Sequence, residues 1–146
     1  MVDVSDKTPG KRTAVAHAFV RMSPSVIKAL PKNPKGDPLE IARIAGILAA
    51  KRTAELIPLC HPLPLSHLDV TCTIHTRGPK GGVQIRAEAS TTAQTGVEME
   101  AMMAASIAAL TVYDMTKALD KGIEICEIYL LEKTGGKSGA YRRPKL

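Results

Sequence analysis

Two runs of strict alternation constrain this chain more than any other feature. From His67 to His75, the residues Leu68, Val70, Cys72 and Ile74 take one face while Asp69, Thr71 and Thr73 take the other. Further on, Val83, Ile85, Ala87 and Ala89 alternate with Gln84, Arg86 and Glu88. A period of two puts each apolar set on one side of a pleated strand. The intervening RGPKGG is turn chemistry, so the two runs predict an antiparallel hairpin with one buried face. Such a face must be covered. A chain of 146 residues can do so within one domain, burying roughly two-thirds of its unfolded surface without a disulfide or metal staple.

Helices supply the cover. Asp37 is a good N-cap, with Pro38 at the first helical position and Glu40 in the capping-box place. The helix it opens is expected to run to about Glu55, burying Ile41, Ile44, Ala45, Ile47 and Leu48, before the prolines of LIPLCHPLPLS stop it. A second helix, from Gly96 to about Leu119, is Ala- and Met-rich and apolar nearly all round. A helix of that kind in so small a domain implies that a partner subunit covers part of it. Pro24 to Leu30 reads as a short helix ended by Pro31, and PKNPKGDP as a loop. Thr13 to Val20 and Glu124 to Leu131 read as strands. The order strand, helix, strand, strand, helix, strand is the split βαβ, ferredoxin-like pattern: an α+β fold whose four-stranded antiparallel sheet carries helices on one face. No internal repeat or shift of composition divides the chain, and residues 1–11 and 134–146 read as mobile ends of a single domain. Many functions share this fold, so it selects none of them.

Composition narrows the partners. Lys and Arg number 20 against 14 Asp and Glu, a formal charge of +6 that favours an anionic ligand without naming it. Aromatic residues make up 3% of the chain and Trp is absent, which removes the stacking platforms of single-strand nucleic-acid binders. The three cysteines, Cys60, Cys72 and Cys126, are an odd, irregularly spaced set among apolar neighbours. That argues against a disulfide framework and for a reducing cytoplasm. No apolar signal core opens the chain, and no run approaches the roughly 20 apolar residues of a membrane span.

Candidate chemistry begins with Asp114 and Lys117, three apart and so neighbours on the second long helix, in the apolar setting ALTVYDMTKAL. Glu100, fourteen positions earlier, falls about four turns back near the same stripe. A carboxylate and an ammonium held together in a partly dry site can be tuned for proton transfer; the bland reading is a solvated intrahelical ion pair. His61, between Cys60 and Pro62 on a rigid apolar loop, suits a substrate hydrogen bond or a proton shuttle, though a loop histidine is more often structural. Cys60, His61, His67, Cys72 and His75 lack the paired spacing of structural zinc sites, so no metal ligation is expected. GGKSG is not a P-loop, because Leu131 stands where its first glycine belongs. Lys137 within it can still close over a phosphate as a point charge. Lys32, Lys35, Lys51 and Arg52 add positive charge around the first long helix, Lys35 just before its N-terminus.

The strings MVDVS, KGD, ARIAGILAAKRT, LIPLCHPL, TGVEMEA, AALTVYDMTKA and LEKTGGKSG occur in this order. Together they closely resemble the cyclic pyranopterin monophosphate synthase family of molybdenum cofactor biosynthesis, from Met1 to about Gly139. The resemblance implies a ferredoxin-like subunit in a homohexamer, a trimer of dimers with active sites at the dimer interface. It implies a lyase that takes a 3′,8-cyclised dihydro-GTP to a pyranopterin bearing a cyclic phosphate, releases pyrophosphate, and needs no redox cofactor; whether Mg²⁺ accompanies the triphosphate stays open. Carried over position by position, Asp114 matches the catalytic aspartate, Lys117 and Lys35 match required lysines, and Leu59, Cys60, His61, Met99 and Glu100 match substrate-binding segments. Lys137 and Arg12 match triphosphate contacts, and Lys51 joins them as a cation of ARIAGILAAKRT. Thr116, Pro38, Met102 and Met103 depart from the family's usual residues, and none of these departures removes an ionisable group of a motif. The competing readings are a small basic RNA-binding module and a non-catalytic nucleotide-binding protein.

Overall fold

The computed structural model describes residues 1–76 and 81–144; of the expected RGPKGG turn, residues 77–80 lie outside them. Five strands, β1 (Gly10–Arg21), β2 (Leu65–His75), β3 (Gly82–Ala93), β4 (Glu124–Thr134) and β5 (Tyr141–Arg142), form one sheet in the order β2-β3-β1-β4-β5. Every neighbouring pair is antiparallel. The hairpin stands as its alternation dictates, with Val70 opposite Ala87 and Cys72 opposite Ile85. Leaving β5 aside, the order is that of the ferredoxin-like fold.

The α-helices among the described residues are α1 (Pro24–Ala29), α2 (Pro38–Ala50), α3 (Thr53–Leu56) and α4 (Glu98–Thr116), with a 3-10 turn, Leu30–Lys32, after α1. Asp37 caps α2 as expected, its Oδ1 accepting from the amides of Leu39 and Glu40. The inner sheet face is built from small residues. Ala14, Ala16, Ala18, Val20, Val83, Ile85, Ala87 and Ala89 are all fully buried, and α4 lies on β1, β3 and β4 with Ala101, Ala104, Ala105, Ala108 and Ala109 sealed. Short side chains on both layers let the helix approach the sheet closely, so the core is shallow and close-packed rather than bulky.

Two expectations are corrected. The buried side of α2 is Ala42, Gly46, Ala49 and Ala50, whereas Ile41, Ile44 and Leu48 are 36%, 47% and 56% exposed. The cause is the crossing with α4: a Cβ on Gly46 would sit 2.8 Å from the Ala104 carbonyl oxygen and 3.2 Å from the Ala108 Cβ. Only the small-residue face of α2 fits there; Ile41, Ile44 and Leu48 are turned outward, while Leu39 and Ile47 pack partly buried against the core. The helix also ends at Ala50 rather than near Glu55. The buried Thr53 hydroxyl donates to the Ala50 carbonyl, 2.9 Å, and a separate single turn, α3, follows.

The C-terminal segment pairs back on the sheet as β5. Gly135 and Gly136, both at φ +86°, reverse the chain in a conformation that glycine adopts without strain. The Arg143 amide then donates to the Leu131 carbonyl, 2.8 Å, and the Arg143 guanidinium lies 4.1 Å over the Tyr129 ring. That ring stacks in turn on His17 at 4.8 Å on the outer sheet face.

Candidate active site

Both ends of α4 carry chemistry. At its C-terminus, Lys117 is the C-cap residue, where a cation is favoured by the helix dipole. Its Nζ donates to Asp114 Oδ1 at 2.6 Å, and Lys35 Nζ lies 3.5 Å from Asp114 Oδ2. All three side chains are about half exposed. The hydrogen bond from Lys117 first, then the charges of Lys117 and Lys35, hold the Asp114 carboxyl below its ordinary range. Asp114 in turn pushes the Lys117 ammonium above its ordinary range. The cluster is therefore an ionised carboxylate between two cations.

Lys35 reaches this point because its loop is pinned to the helix end. Asn33 Nδ2 donates to the Met115 carbonyl at 2.6 Å, one of the carbonyls that a helix terminus leaves without an intrahelical partner. Asn33 Oδ1 accepts from the Lys35 amide at 2.9 Å, and Gly36 at φ +103° turns the chain into the N-cap of α2. Sequence reasoning passed over Asn33. Its only signal was an Asx residue enclosed by prolines in PKNPKGDP.

At the other end of α4, a cleft of about 360 Å³ is lined by Leu59, Cys60, His61, Met99 and Glu100, together with Val2, Val4 and Lys7. The loop carrying Leu59 to His61 is tied to β3 by Thr91 Oγ1, which donates to the Pro64 carbonyl at 2.6 Å. Glu100 is 4% exposed, and burial pushes its carboxyl up. Burial likewise pushes up the Cys60 thiol, which argues for an apolar lining role over a nucleophilic one.

Adjoining this cleft, and sharing Lys7, Thr95, Gly96 and Glu98 with it, is a second of about 500 Å³. Arg12 and Lys137 line it, as do Lys7 and Lys133, with Asp6 and Glu98 as its acidic members. The GGKSG string explains itself here. A Cβ on Gly136 would lie 2.8 Å from Arg12 Nη1, and one on Gly135 would collide with the Lys11 carbonyl, so only glycines let the turn pass over the arginine. Lys133 donates to Ser138 across that turn. The cation set fits a polyphosphate, beside an α4 N-terminus whose N-cap, Val97, offers no side-chain acceptor. Lys7 and Lys133 went unnoticed because single lysines in MVDVSDK and LEKTGG carry no periodic signal.

The structure does not bring the two ends together. Asp114 and Glu100 are fourteen residues apart on one helix, hence about 21 Å along its axis at 1.5 Å per residue. Lys51, the exposed C-cap of α2, lines neither cleft. Among the described residues no cluster of three or more His, Cys, Asp or Glu could hold a metal ion, and no helix is long and apolar enough to cross a membrane.

Known proteins are similar to this chain over nearly its whole length. The chain is 58% identical to the cyclic pyranopterin monophosphate synthase of Nostoc sp. (strain PCC 7120 / SAG 25.82 / UTEX 2576), with 99% of this chain and 86% of that protein covered. It is 54% identical to the protein of that name from Oleidesulfovibrio alaskensis, covering 97% and 89%, and 53% identical to that of Staphylococcus aureus (strain Newman), covering 98% and 89%. Residues 1–136, which carry every site residue described above except Lys137 and Ser138, match the MoaC family, and the chain belongs to that family.

Proposed function

We propose that this chain is a lyase of molybdenum cofactor biosynthesis. It converts the 3′,8-cyclised dihydro-GTP to cyclic pyranopterin monophosphate and releases pyrophosphate. The observation that carries the reading is the Lys35–Asp114–Lys117 cluster, in which one carboxylate accepts a hydrogen bond from Lys117 and is ion-paired with Lys35. Turning a 5′-triphosphate into a cyclic monophosphate requires a hydroxyl of the same molecule to attack the α-phosphorus. One P–O bond forms, the bond to pyrophosphate breaks, and the hydroxyl proton must leave. Asp114, ionised at neutral pH, is placed to take a proton; Lys117 and Lys35 are placed to stabilise or protonate developing negative charge.

In this reading Arg12, Lys7, Lys133 and Lys137 receive the phosphates, where charged hydrogen bonds are strongest. His61, Glu100, Cys60, Leu59 and Met99 hold the ring system, and Lys51 is a more distant cation. No redox cofactor takes part, and any Mg²⁺ arrives with the triphosphate. Since the two ends of α4 stand about 21 Å apart in one subunit, each site is completed by a second copy, in a homohexamer built as a trimer of dimers. Exposed Ile41, Ile44, Leu48 and Leu110 are the apolar surface that such contacts would cover. The odd set of free thiols suits a cytoplasmic protein.

An RNA-binding reading is not favoured: the outer-face Tyr129 is capped by Arg143 on one side, and the His17 it stacks on has a side chain only 12% exposed. No nucleic-acid partner is proposed. The test is conversion of the cyclised GTP intermediate, followed by chromatography of the oxidised fluorescent product, for wild type and Lys117→Ala. Loss of turnover with the oligomer intact upholds the reading. Absence of product from wild-type protein and verified substrate overturns it.

A further inference from the structure

His61 does not stand alone in its cleft. Its Nε2 lies 2.9 Å from the Val2 carbonyl oxygen. A carbonyl can only accept, so this contact requires the proton on Nε2 and leaves Nδ1 as the atom that meets a ligand. A neutral ring held in this way presents an acceptor at Nδ1. It suits an N–H or O–H of a purine-derived ring or ribose, and it repels a phosphate oxygen.

The segment that supplies the carbonyl has a structure of its own. Asp3 Oδ1 accepts from both the amide and the hydroxyl of Ser5, at 2.9 and 2.6 Å, and the Lys7 amide donates to the Val4 carbonyl at 3.0 Å. These two turns fold the segment so that Val2, Val4 and Lys7 line the cleft together with Cys60 and Glu100. Lys7 continues into the cationic cleft. One short segment therefore borders both the ring-binding and the phosphate-binding halves.

We infer that residues Met1–Lys7 are a positioning element of the active site, in which the backbone carbonyl of Val2 fixes the tautomer of His61. The consequence for turnover rests on the synthase reading above; the tautomer itself does not. Val2 as a whole is 74% exposed, and it is the main chain, folded by Asp3 and Ser5, that makes the contact.

The test labels the histidines with ¹⁵N, assigns His61 with His61→Gln, and reads its tautomer from long-range ¹H–¹⁵N spectra of the intact oligomer. Three proteins are compared: wild type, a variant with Met1–Val4 reduced to one initiating methionine, and Asp3→Ala, which keeps the chain length but loses the turn. The expected result is an Nε2–H tautomer in wild type that becomes mixed in both variants, with kcat falling about tenfold, the size of one hydrogen bond, and KM changing less. An Nδ1–H ring in wild type overturns the inference. So do variants that keep the tautomer, or that lose it with kcat unchanged. If the tautomer shifts as expected but wild type makes no product, the Val2–His61 contact is upheld and the synthase reading fails.

Discussion

The two ends of α4 differ in almost every physical respect. At the C-terminus Lys35, Asp114 and Lys117 are half exposed; the two lysines hold the Asp114 carboxyl below its ordinary range, and Asp114 pushes the Lys117 ammonium up. At the N-terminus Glu100 is buried and shifted by desolvation, and the surrounding Leu59, Cys60, His61 and Met99 make a mostly apolar cleft. One end is a cluster of charges open to solvent; the other is a mostly apolar pocket whose buried carboxyl is harder to ionise. Each has what the other lacks. Their separation along a rigid helix is the reason the proposed site draws on two copies of the chain.

The largest effect that sharpens this contrast is at the charged end. Lys117→Ala and Asp114→Asn are each expected to lower kcat by about a hundredfold or more, the usual contribution of a positioned acid or base, with secondary structure and oligomer size retained. Comparable turnover in either variant would move the chemistry to the other end of the helix. Next in size is phosphate binding. Arg12→Ala or Lys133→Ala should raise KM about tenfold, since a charge-assisted hydrogen bond contributes about 1.5–3 kcal/mol, while kcat changes less. A fall in kcat alone would contradict the division of the cleft.

Gly46→Val tests the scaffold that holds the two ends in place. The added atoms meet the Ala104 carbonyl, and overpacking of this kind costs about 1–3 kcal/mol, read as a lowered urea midpoint with unchanged slope. An unaltered midpoint would mean that the α2–α4 crossing is looser than described.

The smallest effect is the response to pH. Asp114 lies below its ordinary 3.8 and Lys117 above its ordinary 10.5. The ion pair is therefore fully formed between those values. Its contribution to stability is lost only as pH falls through the depressed carboxyl value or rises through the raised ammonium value. Neither group should produce a limb in the kcat profile between about pH 5 and 9. A titration in that window that disappears in Asp114→Asn would show the carboxylate to be less ionised than its partners require.

Much of this was legible in the residues because it depends on local periodicity. The alternation of Leu68 to Ile74 and of Val83 to Ala89 gave the hairpin, and the Asp37–Pro38 cap gave the start of α2. Pairing of Asp114 with Lys117 followed from helical spacing. The buried side of α2 was not legible, since hydrophobicity favoured Ile41, Ile44 and Leu48, and the choice was made by how closely α4 approaches Gly46. The contacts Asn33–Met115 and Val2–His61 span 82 and 59 residues; no local pattern encodes them. Glu100 and Asp114 share a stripe in projection, yet projection hides the axial distance, which is the quantity that splits the site.

The most direct test of that split is complementation between two inactive proteins. Lys117→Ala lacks the charged end and Glu100→Gln lacks the pocket end, so each alone should be nearly inactive. Dissociated and reassembled together at equal amounts, random pairing places one intact site in half of the dimers, and turnover should return to about a quarter of the wild-type value. Mixed oligomers that form, by mass, but remain as inactive as either parent would contradict a site shared between two copies.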